Sequence, residues 1–202
     1  MIYQIFPSLV YKENLISEMK DFDISKLEQF EKKEGFSVDS YVLNHKDILI
    51  LKNIFLRHID IYTKDILEIE KSVEFYITRS WITEAKEGKF TPTIHTHENA
   101  FFTGVLYFNV EEEVDSIVFL RTKPHQYLSC GFEKVNQFNQ EAVTFHPKKW
   151  DFIIFDSAVP HHMGPIISKK TRNSLVMEFF ARGTFGKCNA GNAYNVGELI
   201  LR

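Results

Sequence analysis

From Val73 to Phe180 apolar residues recur in short runs at a period of two, broken by glycine and proline, and this limits the chain to a β-rich architecture. The candidate strands are Val73–Ile82, Thr93–His97, Phe101–Asn109, Ser116–Arg121, Ala142–Phe145, Asp151–Phe155 and Asn173–Phe180. Gly88, Pro124, Gly131, Pro147 and Gly164 punctuate the loops between them. Strands and helices do not alternate, so a parallel βαβ sheet is excluded. The expected fold is α+β and mainly β, a double-sheet jelly roll or barrel with helices packed on the outside of one sheet. A core rich in aromatics suits it, and the chain carries 19 Phe, 8 Tyr and 2 Trp.

The first third has a different period. Residues 2–11 carry Pro7 and read as an edge strand or an extended entry segment. From Lys12 to Gly35 two short helices are expected, with Leu15, Ile16 and Met19 on one face, Ile24, Leu27 and Phe30 on another, and Gly35 as the stop. A longer helix begins after Asn44, with Asn44 and Asp47 as capping side chains, and runs to about Glu70. Leu51, Phe55, Ile59, Tyr62 and Ile66 form its buried stripe. His58 lies beside that stripe as a half-buried helical histidine, since no second coordinating residue shares its face.

At 202 residues a single domain is expected, with residues 1–72 as helical support, 73–180 as the β core and 181–202 as a tail. The polar connection 122–141 is long enough to act as a rim or lid, and Gly183 to Tyr194 is expected to be poorly ordered or wrapped over the surface. A formal charge of −3 and no lysine- or arginine-dense face argue against nucleic acid. Cys130 and Cys188 match neither a disulfide framework nor a zinc finger. With no signal-peptide pattern and no apolar run of 18 residues, a cytoplasmic protein without a membrane partner is expected.

Two segments carry metal-ligand chemistry. In Ile94-His95-Thr96-His97-Glu98-Asn99, an extended backbone sends His95 and His97 to the same face. The second runs from Phe155 through Ser157 and Pro160 to His161 and His162, where an apolar strand ends and proline delivers a histidine to the sheet end. His161 is the preferred third ligand, with His162 facing outward. Three imidazoles on one cation leave coordination positions open, which means chemistry and not only structure. Glu98 points to the opposite strand face, although a bulge could bring it in as a ligand instead of His97. Arg172, opening the next strand, needs an anionic partner, and Ser174 faces the same side; together they can bind a carboxylate.

The His95-Thr96-His97 motif followed by Thr103 to Tyr107, the Phe155-x-Ser157-x-x-x-His161 segment and Arg172-x-Ser174 together resemble the 2-oxoglutarate/iron(II)-dependent oxygenases, in particular a small microbial and phage branch with prolyl-hydroxylase-like features. The match covers roughly residues 73–180 and includes the Trp81 strand. It implies a double-stranded β-helix, Fe(II) as metal, and 2-oxoglutarate and O2 as cosubstrates. Arg172 and Ser174 would bind the distal carboxylate of 2-oxoglutarate, with Tyr107 assisting. The implied reaction couples oxidative decarboxylation of 2-oxoglutarate, giving succinate and CO2, to hydroxylation of a C–H bond in a small-molecule or peptide substrate. Trp81, Thr103 and the 122–141 loop are the substrate-facing candidates. His97 stands where most of that superfamily has a carboxylate, leaving the site one unit more positive. Two alternatives stay open: a cupin-type three-histidine dioxygenase without 2-oxoglutarate, and a non-enzymatic β-sandwich module whose histidines are incidental.

Overall fold

The computed structural model describes residues 7–87, 93–122, 131–186 and 194–197. Two antiparallel sheets dominate. The larger contains β1 (Val10–Asn14), β2 (Lys32–Lys33), β3 (Phe36–Ser37), β4 (Val73–Ala85), β5 (Phe102–Asn109), β8 (Asp151–Asp156) and β10 (Arg172–Phe185), with β11 (Tyr194–Val196) paired to β10. Its strand order is β1-β8-β5-β10-β4-β3-β2. The smaller has the order β7-β6-β9, from Ala142–Phe145, Ile117–Leu120 and His161–Met163.

Both faces of the large sheet are buried, which explains why its central strands read as nearly unbroken apolar runs. Leu106, Phe152, Ile154, Leu175 and Met177 face one layer together with Leu51, Phe55 and Ile59 of the helix. The alternate residues Val105, Tyr107, Ile153, Phe155 and Val176 face Ile117 and Phe119 of the small sheet. Ring pairs seal both layers: Phe55 lies 4.8 Å from Phe152, and Phe119 meets Phe155 edge-on at 4.9 Å. Gly104 has to be small, because a Cβ there would come within 2.9 Å of Phe179 and 3.0 Å of Met177.

The helical third differs from expectation in several places. Lys12 to Asn14 belong to β1, and a single four-residue helix, α1 (Ser25–Glu28), replaces the two short ones. Ile16 is exposed, while Leu15 and Met19 are buried. Gly35 does not stop a helix; with Glu34 it supplies the positive φ angles of 53° and 86° that turn β2 into β3. The main helix, α2 (Leu49–Asp60), follows two 3₁₀ turns, Val42–Asn44 and Lys46–Ile48. Neither Asn44 nor Asp47 caps it: Ile48 holds the cap position without a side-chain bond, and Asn44 accepts from Lys52 instead. Past Asp60 the helix widens into a π turn, Ile61–Ile66. That change of period rotates Ile66 into solvent while Tyr62 stays buried. His58 is buried and bonded to Tyr11 Oη at 2.7 Å, a structural histidine as expected.

Thr93–His97 does not form a full strand. One bridge, His95 to His161, and one further hydrogen bond, from His97 N to Ser157 O at 2.9 Å, tie it alongside β9. Its neighbour is only three residues long, so a longer ladder has nothing to pair with. At the C-terminal end β10 continues through Phe185, and Tyr194–Val196 returns antiparallel to it. Residues 187–193 of the expected tail, like Gly88, Pro124, Cys130 and Cys188, lie outside the described residues. Among the described residues no helix is long and apolar enough to cross a membrane.

Candidate metal and cosubstrate site

The two sheets diverge around a cavity of about 400 Å³, near the lower end of the range for ligand sites. Period-two alternation selects its walls. On β4 it exposes Arg79, Trp81 and Thr83; on β10, Arg172, Ser174 and Val176; on β5, Val105 and Tyr107. Register brings these together: Ser174 sits opposite both Thr83 and Tyr107, and Val176 opposite both Trp81 and Val105.

His95, His97 and His161 meet at the mouth of this cavity. One ring nitrogen from each lies within 4.8 Å of those of the other two. The pairing that places them is reciprocal, since His95 N donates to His161 O and His161 N to His95 O, both at 3.0 Å. Each Nδ1 faces an acceptor: Thr93 O at 2.9 Å for His95, Glu178 Oε1 at 3.0 Å for His97, and Val159 O at 2.9 Å for His161. A carbonyl or carboxylate oxygen can only accept, so each Nδ1 carries the proton. In the neutral ring Nε2 is then the nitrogen with a lone pair to offer, the tautomer a metal requires. Burial also holds the His161 imidazole neutral, with its pKa lowered from 6.5 to about 4. The donor set therefore fits a divalent transition metal. Glu98 is exposed and stands outside the cluster, so the third nitrogen comes from His97. His162 is half-buried and also outside it, its Nδ1 directed to Met163 O at 2.6 Å.

Arg172, Tyr107 and Ser174, on the wall of the same cavity, are groups that suit an anion. Arg172 is 2% exposed, and its Nη1 donates to Ser116 O at 2.7 Å. Its guanidinium lies 5.3 Å from the Tyr107 ring centroid. Two polar atoms here are buried and have no hydrogen-bond partner among the described residues: Tyr107 Oη and Arg172 Nε. Burial pushes the Tyr107 phenol up, with the Arg172 charge beside it opposing, so at neutral pH it is a donor. Buried donors are normally satisfied, so this pair points to a ligand that bonds them. Ser174 Oγ is shared with Thr83 Oγ1 at 2.6 Å. No aspartate or glutamate lines the cavity among the described residues, and its positive groups are Arg79 and Arg172. A dicarboxylate fits such a site.

Trp81 lines the cavity, with its ring 5.8 Å from that of His97 and the Arg79 guanidinium 5.4 Å over it. Thr103 is placed differently: fully buried, it lies off the cavity wall and bonds Ser157 Oγ at 2.8 Å. Ser157 O in turn accepts from His97 N, so Thr103 supports the backbone that carries a histidine. None of residues 131–141 lines the cavity, and 123–130 of the same loop lie outside the described residues. Sequence reasoning missed Glu178 and Thr83. Glu178 had a readable signal, as the only charge in the apolar run Leu175 to Phe180. Thr83 had none, because its role comes from lying across the sheet from Ser174.

Comparison with known proteins agrees with this chemistry. Residues 79–178 match the family model described as "Putative 2OG-Fe(II) oxygenase". No curated protein matches significantly. Among solved structures, the α-ketoglutarate-dependent epimerase SnoN of nogalamycin biosynthesis aligns with a TM-score of 0.59 at 14% identity, covering 96% of this chain and 89% of its own. HygX from Streptomyces hygroscopicus, solved with nickel and 2-oxoglutarate bound, aligns at 0.57 and 8% identity, covering 85% and 82%. A 2OG-Fe(II) oxygenase family oxidoreductase from Burkholderia pseudomallei aligns at 0.54 and 13% identity, covering 81% and 76%. At these identities the alignments speak for the fold alone. With the sequence match from Arg79 to Glu178 and a three-histidine cluster inside it, the chain belongs to the 2OG-Fe(II) oxygenase family.

Proposed function

We propose that this protein is an Fe(II)- and 2-oxoglutarate-dependent dioxygenase that hydroxylates an unactivated C–H bond of a small-molecule or peptide substrate, with release of succinate and CO2. The observation that carries this reading is the pairing, on one cavity, of three imidazoles whose Nδ1 atoms each face an acceptor with a buried Arg172 Nε and Tyr107 Oη that have no hydrogen-bond partner among the described residues. A cosubstrate-free cupin-type enzyme has no evident use for a second, deep anion site. Incidental surface histidines would not share one tautomer and one focus.

In this reading His95, His97 and His161 hold Fe(II). Arg172 binds the distal carboxylate of 2-oxoglutarate through charge-assisted hydrogen bonds, with Tyr107 Oη and Ser174 Oγ as further donors. When bound, iron and 2-oxoglutarate supply the reduction of O2 and the oxidising power for C–H cleavage. The rest is positioning. Val105, Ile117, Met163 and Val176 form apolar walls that limit water around the cosubstrate. Trp81 forms the wall beside His97 that faces the substrate, with Arg79 next to it.

The strand order supports a double-stranded β-helix for the β core. The chain passes from β4 in the large sheet to the His95 bridge beside β9, back to β5, across to β6 and β7, back to β8, across to β9, and back to β10. This winding brings the two histidine segments side by side at one end.

The test is anaerobic titration of the protein with Fe(II), with and without 2-oxoglutarate. A visible metal-to-ligand charge-transfer band is expected only when both are present. Fe(II) binding without that band, and without 2-oxoglutarate-dependent succinate formation in air, would leave the cosubstrate-free reading instead.

A further inference from the structure

Three imidazole ligands bring no negative charge to a divalent cation, and no carboxylate lines the cavity among the described residues. We propose that Glu178 provides the missing charge: its buried carboxylate accepts the hydrogen bond donated by His97 Nδ1 and acts through that ring as the anionic component of the metal centre. This inference rests on the reading of His95, His97 and His161 as metal ligands.

Four observations carry it. Glu178 is 5% exposed and sits on β10 among apolar neighbours. Its Oε1 lies 3.0 Å from His97 Nδ1, and its Oε2 is buried with no hydrogen-bond partner among the described residues. Among the described residues His97 is its side-chain hydrogen-bond partner, since Arg79, opposite it on β4, stacks its guanidinium on Trp81. The Nδ1 atoms of His95 and His161 face only neutral carbonyls, so one ring of the three is polarised by a full charge.

A buried carboxylate with so little compensation is unfavourable in the fold alone and becomes favourable beside a bound cation. The ring it contacts is held firmly. Glu178 pairs with Thr103 on β5, Thr103 Oγ1 bonds Ser157 Oγ, and Ser157 O accepts the backbone N–H of His97. Glu178 is thus a positioning residue that also sets the charge of the site. It replaces, at one remove, the carboxylate that His97 displaces from the first motif.

Glu178→Gln tests this because the amide oxygen still accepts from His97 while the charge is gone. Calorimetric titration should show nickel(II) affinity falling by about 10- to 100-fold, the usual cost of losing such a partner. The affinity of the nickel-loaded protein for dianionic 2-oxoglutarate should rise several-fold, because a more positive site favours the anion. A merely structural role would weaken both. In a His97→Ala background, Glu178→Gln should have no further effect on nickel affinity.

Unchanged nickel affinity, or parallel loss of both affinities, overturns the proposal. Glu178→Asp keeps the charge at shorter reach and is the second variant if glutamine is not tolerated. It should lose part of the nickel affinity without gaining affinity for 2-oxoglutarate, and unchanged nickel affinity there overturns the proposal as well. A wild-type protein that binds no nickel refutes the metal reading itself and this inference with it. Wild-type binding that Glu178→Gln leaves intact refutes this inference alone.

Discussion

Removing the Tyr107 hydroxyl should make the ligand-free protein more stable and its binding of 2-oxoglutarate weaker. In the structure Tyr107 is fully buried and, the adjacent Arg172 guanidinium aside, its Oη has no hydrogen-bond partner among the described residues. A buried polar group without a partner carries a desolvation cost of about 1–3 kcal/mol, most of which Tyr107→Phe recovers. The phenyl ring keeps its packing against Val105, Ile153 and Val176 and its contact with the Arg172 guanidinium, so little opposes that gain. For a chain of this size about 1 kcal/mol corresponds to roughly 2–4 °C in Tm. With ligand the sign reverses. The hydroxyl donates to an anion, a bond of about 1.5–3 kcal/mol, so affinity should fall on the order of 10- to 100-fold. The assays are differential scanning calorimetry of the metal-free protein and calorimetric titration of 2-oxoglutarate into the nickel-loaded form. A Phe variant that melts at or below the wild-type temperature would mean the hydroxyl has a partner in the free protein. Unchanged 2-oxoglutarate affinity would mean that the cosubstrate does not reach Tyr107.

Arg172→Ala leaves a bound carboxylate without its counter-ion. It is expected to cost 2-oxoglutarate binding about 3 kcal/mol, on the order of 100-fold, while nickel affinity stays near wild type; equal loss of both would mean the arginine mainly holds Ser116 and the fold. His95→Ala or His161→Ala should abolish the Fe(II)- and 2-oxoglutarate-dependent absorption band, and a band that survives either change removes that residue from the metal site. Acid should destabilise the metal-free protein through His161. Its folded pKa of about 4 lies below its ordinary 6.5, so between these values the unfolded chain binds the extra proton and stability falls as pH drops through that window, by roughly 3 kcal/mol at most. Urea melts of the wild type and His161→Gln at pH 7 and pH 4.5 measure it, and an equal pH dependence in both would exclude this origin.

Much of the molecule is determined by local pattern. Short apolar runs bounded by turn residues specify β5, β7 and β8 to within a residue and the start of β4, which continues three residues past Ile82, because such runs mark strands whichever strand lies alongside. Spacing picks out His95, His97, His161, Arg172 and Ser174 as candidates and the family resemblance adds Tyr107; the structure brings all six to one cavity. The helical third was less legible. The 3₁₀ and π turns that flank α2, and the β2–β3 turn at Gly35, follow from fitting a short helix over a twisted sheet, and local propensity carries little information about that fit.

What only the tertiary structure decided is the pairing of positions far apart in the chain. Register places Thr83 and Tyr107 on either side of Ser174, strand order brings His161 beside His95, and burial puts Glu178 against His97 instead of solvent. Side-chain alternation determines which face a residue takes. Which residues meet on that face depends on long-range hydrogen bonding between strands, and a one-residue slip in that pairing would dissolve the site without altering a single strand's pattern.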